Sequence, residues 1–173
     1  QIKSRSPITP VALCASTHRA ANVLANTISH RIKVTTAHKL FKLRPVINDS
    51  GTETIAVAGT STIKPGSVVI IDEASMIGTQ FLKSIVNIVK TKNLNVIFVG
   101  DDYQLPPPSD SCCIFDGSLP TFKLTTIHRQ LHDNPILAKA AEFLEYIDGT
   151  RTSEPTIETC LNTKGQGIHI LPH

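Results

Sequence analysis

The chain has 173 residues, enough for one domain of ordinary size. With 40% hydrophobic and 18% charged residues, its composition is globular rather than disordered. A formal net charge of +3 and a pI of about 8.7 exclude binding to nucleic acid by bulk charge, so any such contact is local.

No apolar run approaches the roughly 20 residues that cross a bilayer, and no membrane partner is expected. Gln1 to Pro7 has no apolar signal core and no initiator Met, which reads as a piece of a longer chain. There is no Trp to serve as a base-stacking platform. Cys14, Cys112, Cys113 and Cys160 make no CxxC pair and read as reduced thiols of an intracellular protein.

In chain order, Val11–Cys14 is the first short apolar run and reads as a buried strand. The helix predicted from His18 to His30 sets Ala20, Leu24 and Ile28 on one stripe, with Ser16 or Thr17 as its N-cap. Thr36-Ala37-His38 opens a short helix over Lys39–Leu43. Residues 44–66 break the rhythm: Pro45–Ile47, the turn Asn48–Gly51 and Thr52–Val57 read as an inserted β-hairpin. Val68–Ile71 and Val96–Val99 are continuous, β-branched runs, the mark of strands covered on both faces in a parallel sheet. Between them a helix is predicted over Thr79–Lys90, carrying Phe81, Leu82, Ile85, Val86 and Val89. Phe122–Leu124 reads as a weaker fourth strand. A last helix is predicted from Pro135 to about Ile147, with Asn134 as N-cap and Gly149 as its stop. Strands alternating with helices give an α/β fold with a mostly parallel sheet.

Four segments carry chemistry. Val68–Ile71 ends abruptly in Asp72-Glu73, at the sheet end where parallel-sheet ligands bind. Nucleotide hydrolysis uses such a pair: Asp72 to position Mg²⁺ and Glu73 to deprotonate the attacking water. Gly100-Asp101-Asp102-Tyr103-Gln104 follows the next strand, and the uncharged amide of Gln104 suits a γ-phosphate sensor, with Pro106–Pro108 stiffening the loop beyond. Arg129, in Ile127-His128-Arg129-Gln130, is placed to steady transition-state charge. Ser16-Thr17-His18 and Thr36-Ala37-His38 each sit at a helix start, either as ordinary caps or as sites for the phosphates of a single strand.

In this order the segments resemble the superfamily 1 helicases, particularly the RecD- and Dda-like group related to the Pif family. The resemblance rests most on Asp72-Glu73-Ala74-Ser75-Met76 with Gly100-Asp101-Asp102-Tyr103-Gln104-Leu105-Pro106-Pro107, and covers roughly residues 10 to 150. It implies a RecA-like fold with helices on both faces of the sheet, Mg²⁺ and ATP as cofactors, and single-stranded DNA as partner. Asp72, Glu73, Gln104 and Arg129 then surround the nucleotide, and Ser16, Thr17, His18, Thr36 and His38 become strand contacts. Residues 1–150 form part of the first motor domain, and 151–173 a polar tail or the start of a linker. A bacterial or phage-infected cytoplasm is the implied setting. The alternative is a degenerate, non-catalytic module that binds nucleic acid or protein.

The sequence departs from the family in lacking G-x-x-x-x-G-K-[ST], whose amides and Lys hold phosphates. Ala58-Gly59-Thr60-Ser61-Thr62-Ile63-Lys64 imitates it but runs into Pro65-Gly66, which cannot open a helix. The loop is expected upstream of Gln1 and the second motor domain downstream, both as flanking parts of the parent chain. In the family the loop-bearing strand lies inside the sheet, between the strands that precede Gln104 and Arg129, so the sheet is expected to be incomplete at the N-terminus, with both neighbours exposing unpaired edges.

Overall fold

The computed structural model describes residues 9–28, 32–51, 53–104, 107, 114–124, 135–161 and 167–168. Two units are distinguished, residues 1–121 and 122–173.

The first unit is built on four parallel strands: β1 (Val11–Ala15), β2 (Val34–Thr36), β5 (Val68–Asp72) and β6 (Asn95–Phe98), in the order β2-β1-β5-β6. The antiparallel hairpin β3 (Leu43–Ile47) and β4 (Glu53–Val57) is inserted between β2 and β5, as predicted. Its turn closes through Gly51 N–H donating to Asn48 O at 2.9 Å, with Gly51 at φ 77°.

Helix α1 (His18–Thr27) joins β1 to β2, and α3 (Thr79–Lys92) joins β5 to β6; the short α2 (Ala37–Phe41) follows β2. Such crossovers are almost always right-handed. Because β1-α1-β2 steps one way along the sheet and β5-α3-β6 steps the other, α1 and α3 cover opposite faces. Burial agrees. Cys14, Val69 and Ile71 share one face by register and join Phe41, Phe81 and Ile85 in a single core, with Val96 and Phe98 packed against it. Leu13, Ala15 and Ala21 are buried outside that cluster.

Several boundaries differ from the sequence reading. Helix α1 ends at Thr27 rather than His30, because Ile28 takes an extended backbone while its N–H still donates to Leu24 O. The short helix covers Ala37–Phe41 rather than Lys39–Leu43: Thr36 Oγ1 accepts from Lys39 N–H at 3.3 Å, and Lys42 turns left-handed (φ 56°), releasing Leu43 into β3. Strand β2 was not anticipated. The expected strand at Phe122–Leu124 does not form. Phe122 and Leu124 are 99% and 94% exposed, so the two apolar side chains have no core face to bury against.

The second unit holds α4 (Pro135–Ile147), which begins on Pro135 as expected and stops at Gly149 (φ 74°), and a small antiparallel pair, β7 (Cys160–Leu161) with β8 (Gly167–Ile168). Asn134, its predicted N-cap, lies outside the described residues. Glu142 accepts from Lys139 at 3.0 Å and pairs with Arg151 at 3.1 Å, contacts that hold its carboxyl below the usual range.

Among the described residues β6 is an outer strand, bonded to β5 alone, with Ile97 43% and Val99 44% exposed. An apolar edge of this kind is a template for another strand. Residues 1–173 in isolation are therefore expected to self-associate as concentration rises in sedimentation velocity. A compact monomer at every concentration contradicts this.

Candidate nucleotide and strand site

The parallel register brings one end of every strand to a common rim. Ala15 is level with Thr36 on one side and with Asp72 on the other, and Ile71 is level with Phe98. Ser16, Ala37, Glu73 and Val99 are therefore the next residues out along this carboxyl edge. The hydrogen-bond ladder continues past the strands: Ser16 N–H donates to Asp72 O at 3.1 Å, Val99 N–H to Ile71 O at 2.8 Å, and Ala74 N–H to Val99 O at 2.9 Å. Because the crossovers after β1 and β5 leave toward opposite faces, the switch point of the described sheet falls between these two strands. In open α/β sheets, that crevice is where ligands bind. Ser16 and Asp72 flank it.

Asp72 ends β5 half-buried, and its Oδ1 accepts from Glu73 N–H at 3.0 Å. Glu73 takes a left-handed backbone, φ 54° and ψ 45°, which costs a non-glycine residue about 1–2 kcal/mol. The chain then coils into the tight turn Ala74–Met76, which is buried at Ala74 and Ser75. Both carboxylates thus sit at the rim, with Glu73 turned out of the strand direction. A carboxylate pair supplies hard oxygen donors, and Mg²⁺ is commonly bound by one or two carboxylates together with substrate phosphates. No group of three or more His, Cys, Asp or Glu is placed to hold a metal among the described residues.

Two hydroxyl oxygens next to these carboxylates, Ser16 Oγ and Ser75 Oγ, are buried with no hydrogen-bond partner. Leaving a buried hydroxyl unsatisfied costs about 1–3 kcal/mol. A polar ligand at the rim offers a partner of the right chemistry, so these atoms fit a nucleotide- and strand-binding edge.

The strand-facing candidates occupy two helix starts on the same rim. Thr17 is the N-cap of α1: its Oγ1 accepts from Ala20 N–H at 3.2 Å, which settles the choice between Ser16 and Thr17. His18 is exposed, while Thr36 is buried as the cap of α2. His38, in the first turn of α2, stacks its ring on Phe81, with centroids 4.1 Å apart and planes 13° from parallel. The structure therefore brings Asp72, Glu73, Ser16, Thr17, His18, Thr36 and His38 to one edge of one sheet.

Gln104 lies in the loop beyond β6, exposed, with its N–H donating to Asp101 O at 3.3 Å. Asp101 Oδ1 also accepts from Tyr103 N–H at 3.1 Å, folding the start of the loop back on itself. Leu105, Pro106 and Pro108 lie outside the described residues, as does Arg129, so the latter's placement is not described.

The segment that imitates a phosphate loop is held for a different purpose. Lys92 Nζ donates to both Ser61 O and Ile63 O at 2.9 Å, and Ser61 Oγ donates to Leu40 O at 3.1 Å. The segment thus ties the end of α3 to α2, and Pro65-Gly66 forms a turn rather than a helix start.

Sequence reading missed the close approach at Gly100. A Cβ there would meet Ala74 N and the Phe115 ring at 3.0 Å and Ser75 N at 3.1 Å. Gly100→Ala is expected to cost about 1–3 kcal/mol, read as a lowered denaturation midpoint, because backbone on one side cannot yield. An unchanged midpoint contradicts this packing.

Comparison with known proteins follows the same lines. Residues 3–154 match the family model described as an AAA domain. The chain is 31% identical over 133 residues to the ATP-dependent RecD2 DNA helicase of Deinococcus radiodurans, covering 75% of this chain and 17% of that protein. It is 28% identical over 122 residues to an uncharacterized protein of Acanthamoeba polyphaga mimivirus, covering 62% of this chain and 25% of that protein. The chain thus spans a quarter or less of the length of either relative. With the parallel sheet and the motifs along its rim, these matches show that the chain is a helicase-like nucleotide-binding domain and belongs to the AAA-domain family, among the RecD-like superfamily 1 helicases.

Proposed function

We propose that this domain is part of the first motor domain of an ATP-dependent DNA helicase, coupling hydrolysis of Mg²⁺-ATP to movement along single-stranded DNA. The observation that carries the reading is the meeting of Asp72-Glu73 with Ser16-Thr17 across one rung at the sheet's switch point.

In this reading Mg²⁺ supplies charge neutralisation to the phosphates when bound. Asp72 positions the ion, its carboxylate held in orientation by Glu73 N–H. Glu73, with its left-handed backbone just past the strand end, is the general base for water. Gln104 contacts the γ-phosphate from the next loop. Arg129 supplies positive charge, a role that rests on its motif alone. Ser16, Thr17, His18, Thr36 and His38 are the strand contacts in this reading, through their side chains, since Ser16 N–H is already given to Asp72 O.

Residues 1–150 form the motor part and 151–173 lead toward a second motor domain. A phosphate cradle and that second domain come from flanking parts of the parent chain, since residues 58–64 are already committed to Lys92 and Leu40. No described helix is long and apolar enough to cross a membrane; a bacterial or phage-infected cytoplasm is the setting we propose.

Glu73→Gln in the full-length protein is expected to retain ATP binding while strand-stimulated turnover falls by about two to four orders of magnitude, the range for loss of a general base. Residues 1–173 alone are expected to turn over little ATP in the same assay. Turnover surviving Glu73→Gln removes the catalytic reading and leaves a binding module that does not use this site for hydrolysis.

A further inference from the structure

The turn that follows Glu73 has little side-chain bonding of its own. No side chain caps it, and the hydroxyl of Ser75, a residue 2% exposed, is buried without a hydrogen-bond partner. Its internal bonds are short backbone contacts, Met76 N–H to Glu73 O at 3.2 Å and Ile77 N–H to Ala74 O at 3.0 Å. Ala74 N–H reaches outside it, to Val99 O at 2.9 Å. Yet Glu73, at the head of this turn, keeps a left-handed backbone with φ 54°. A non-glycine residue stays in that region only where its surroundings over-determine it.

Phe115 belongs to those surroundings. Beyond β6 the chain leaves through Gly100, and it comes back to the core at Ile114 and Phe115. Ile114 is 3% exposed, and Phe115 packs against the core cluster that includes Ala74 and Ile77. The tip of the Phe115 ring and the amide nitrogens of Ala74 and Ser75 crowd the same spot above the Gly100 Cα. A Cβ there would stand 3.0 Å from Phe115 Cζ, 3.0 Å from Ala74 N and 3.1 Å from Ser75 N. Ring, glycine and turn thus form one close-packed contact, and such contacts transmit a displacement rather than absorb it.

We propose that Phe115 is a positioning residue for Glu73, the general base of the reading above, on which this inference rests. Its ring, wedged beside Gly100, keeps the Ala74–Met76 turn closed and so fixes the aim of the Glu73 carboxylate. Without the ring the turn has room to relax. Glu73 then moves into the right-handed or extended backbone that non-glycine residues favour, and its side chain points elsewhere. The carboxylate stays productive only in the fraction of molecules that remain left-handed.

The test uses the full-length protein, Mg²⁺-ATP and an oligodeoxythymidine strand. Phe115→Ala removes the ring; Phe115→Val serves the same arm if alanine disturbs folding in circular dichroism. The kcat of strand-stimulated turnover is expected to fall about five- to thirtyfold, the factor to which the cost of a left-handed backbone converts. The KM for ATP and the strand affinity stay as in the parent, because the base alone is misdirected. Phe115→Met, long enough to reach the same spot, restores most of the lost kcat. In a Glu73→Gln background, Phe115→Ala is expected to lower the residual turnover no further.

An unchanged kcat, a change in KM as large as the fall in kcat, or an added loss in the Glu73→Gln background overturns the inference. The two readings fail separately. Turnover that survives Glu73→Gln removes the base, and the role of Phe115 with it. If Glu73→Gln abolishes turnover and Phe115→Ala leaves kcat intact, the role of Phe115 alone fails.

Discussion

The hydrogen bond from Ser16 N–H to Asp72 O is the contact on which the site depends. It extends the β1–β5 ladder one rung beyond Ala15, just where the two chains depart for opposite faces of the sheet. A parallel ladder does not allow one strand to slip by a single residue, since every side chain would change face. Cys14, Val69 and Ile71 must stay in the core, so the rung is fixed by burial on one side of the sheet and by Leu13 and Ala15 on the other. The carboxylates and the turn that opens α1 are thereby locked together at one edge, even though Ser16 and Asp72 lie 56 positions apart in the sequence.

Much of this was legible in the sequence where apolar runs were long and continuous. Val68–Ile71 announced a strand covered on both faces, and Asp72-Glu73 marked its carboxyl end. The Asn48–Gly51 turn between β-branched flanks announced the hairpin, and Pro135 with Gly149 bracketed α4. Strand β2 escaped because it has three residues, two of them Thr, and owes its existence to a vacant place beside β1 rather than to its own pattern. Phe122–Leu124 misled for the converse reason: apolar alternation that stays exposed does not make a strand.

The rest depended on contacts between distant residues. Nothing local announces that Lys92 clamps two carbonyls of the 58–64 segment, or that His38 lies flat on Phe81. The left-handed backbone of Glu73 is likewise a consequence of its neighbours: Ala74 is pulled inward by Val99 O, and Gly100 leaves the room for it. The carboxyl rim is assembled by tertiary structure from residues whose types, but not positions, are visible in one dimension.

The central claim is that nucleotide and metal occupy this carboxyl rim, and paramagnetic broadening tests it most directly. Mn²⁺-ATP added to the isotopically labelled full-length protein is expected to erase amide signals at Ser16, Ala37, Glu73, Ala74 and Gly100. Signals at Val11, Val68 and Asn95, at the other end of the same strands, should persist, and Asp72→Asn should abolish the effect. Broadening confined to the Val11, Val68 and Asn95 end, or unaltered by Asp72→Asn, would contradict the account.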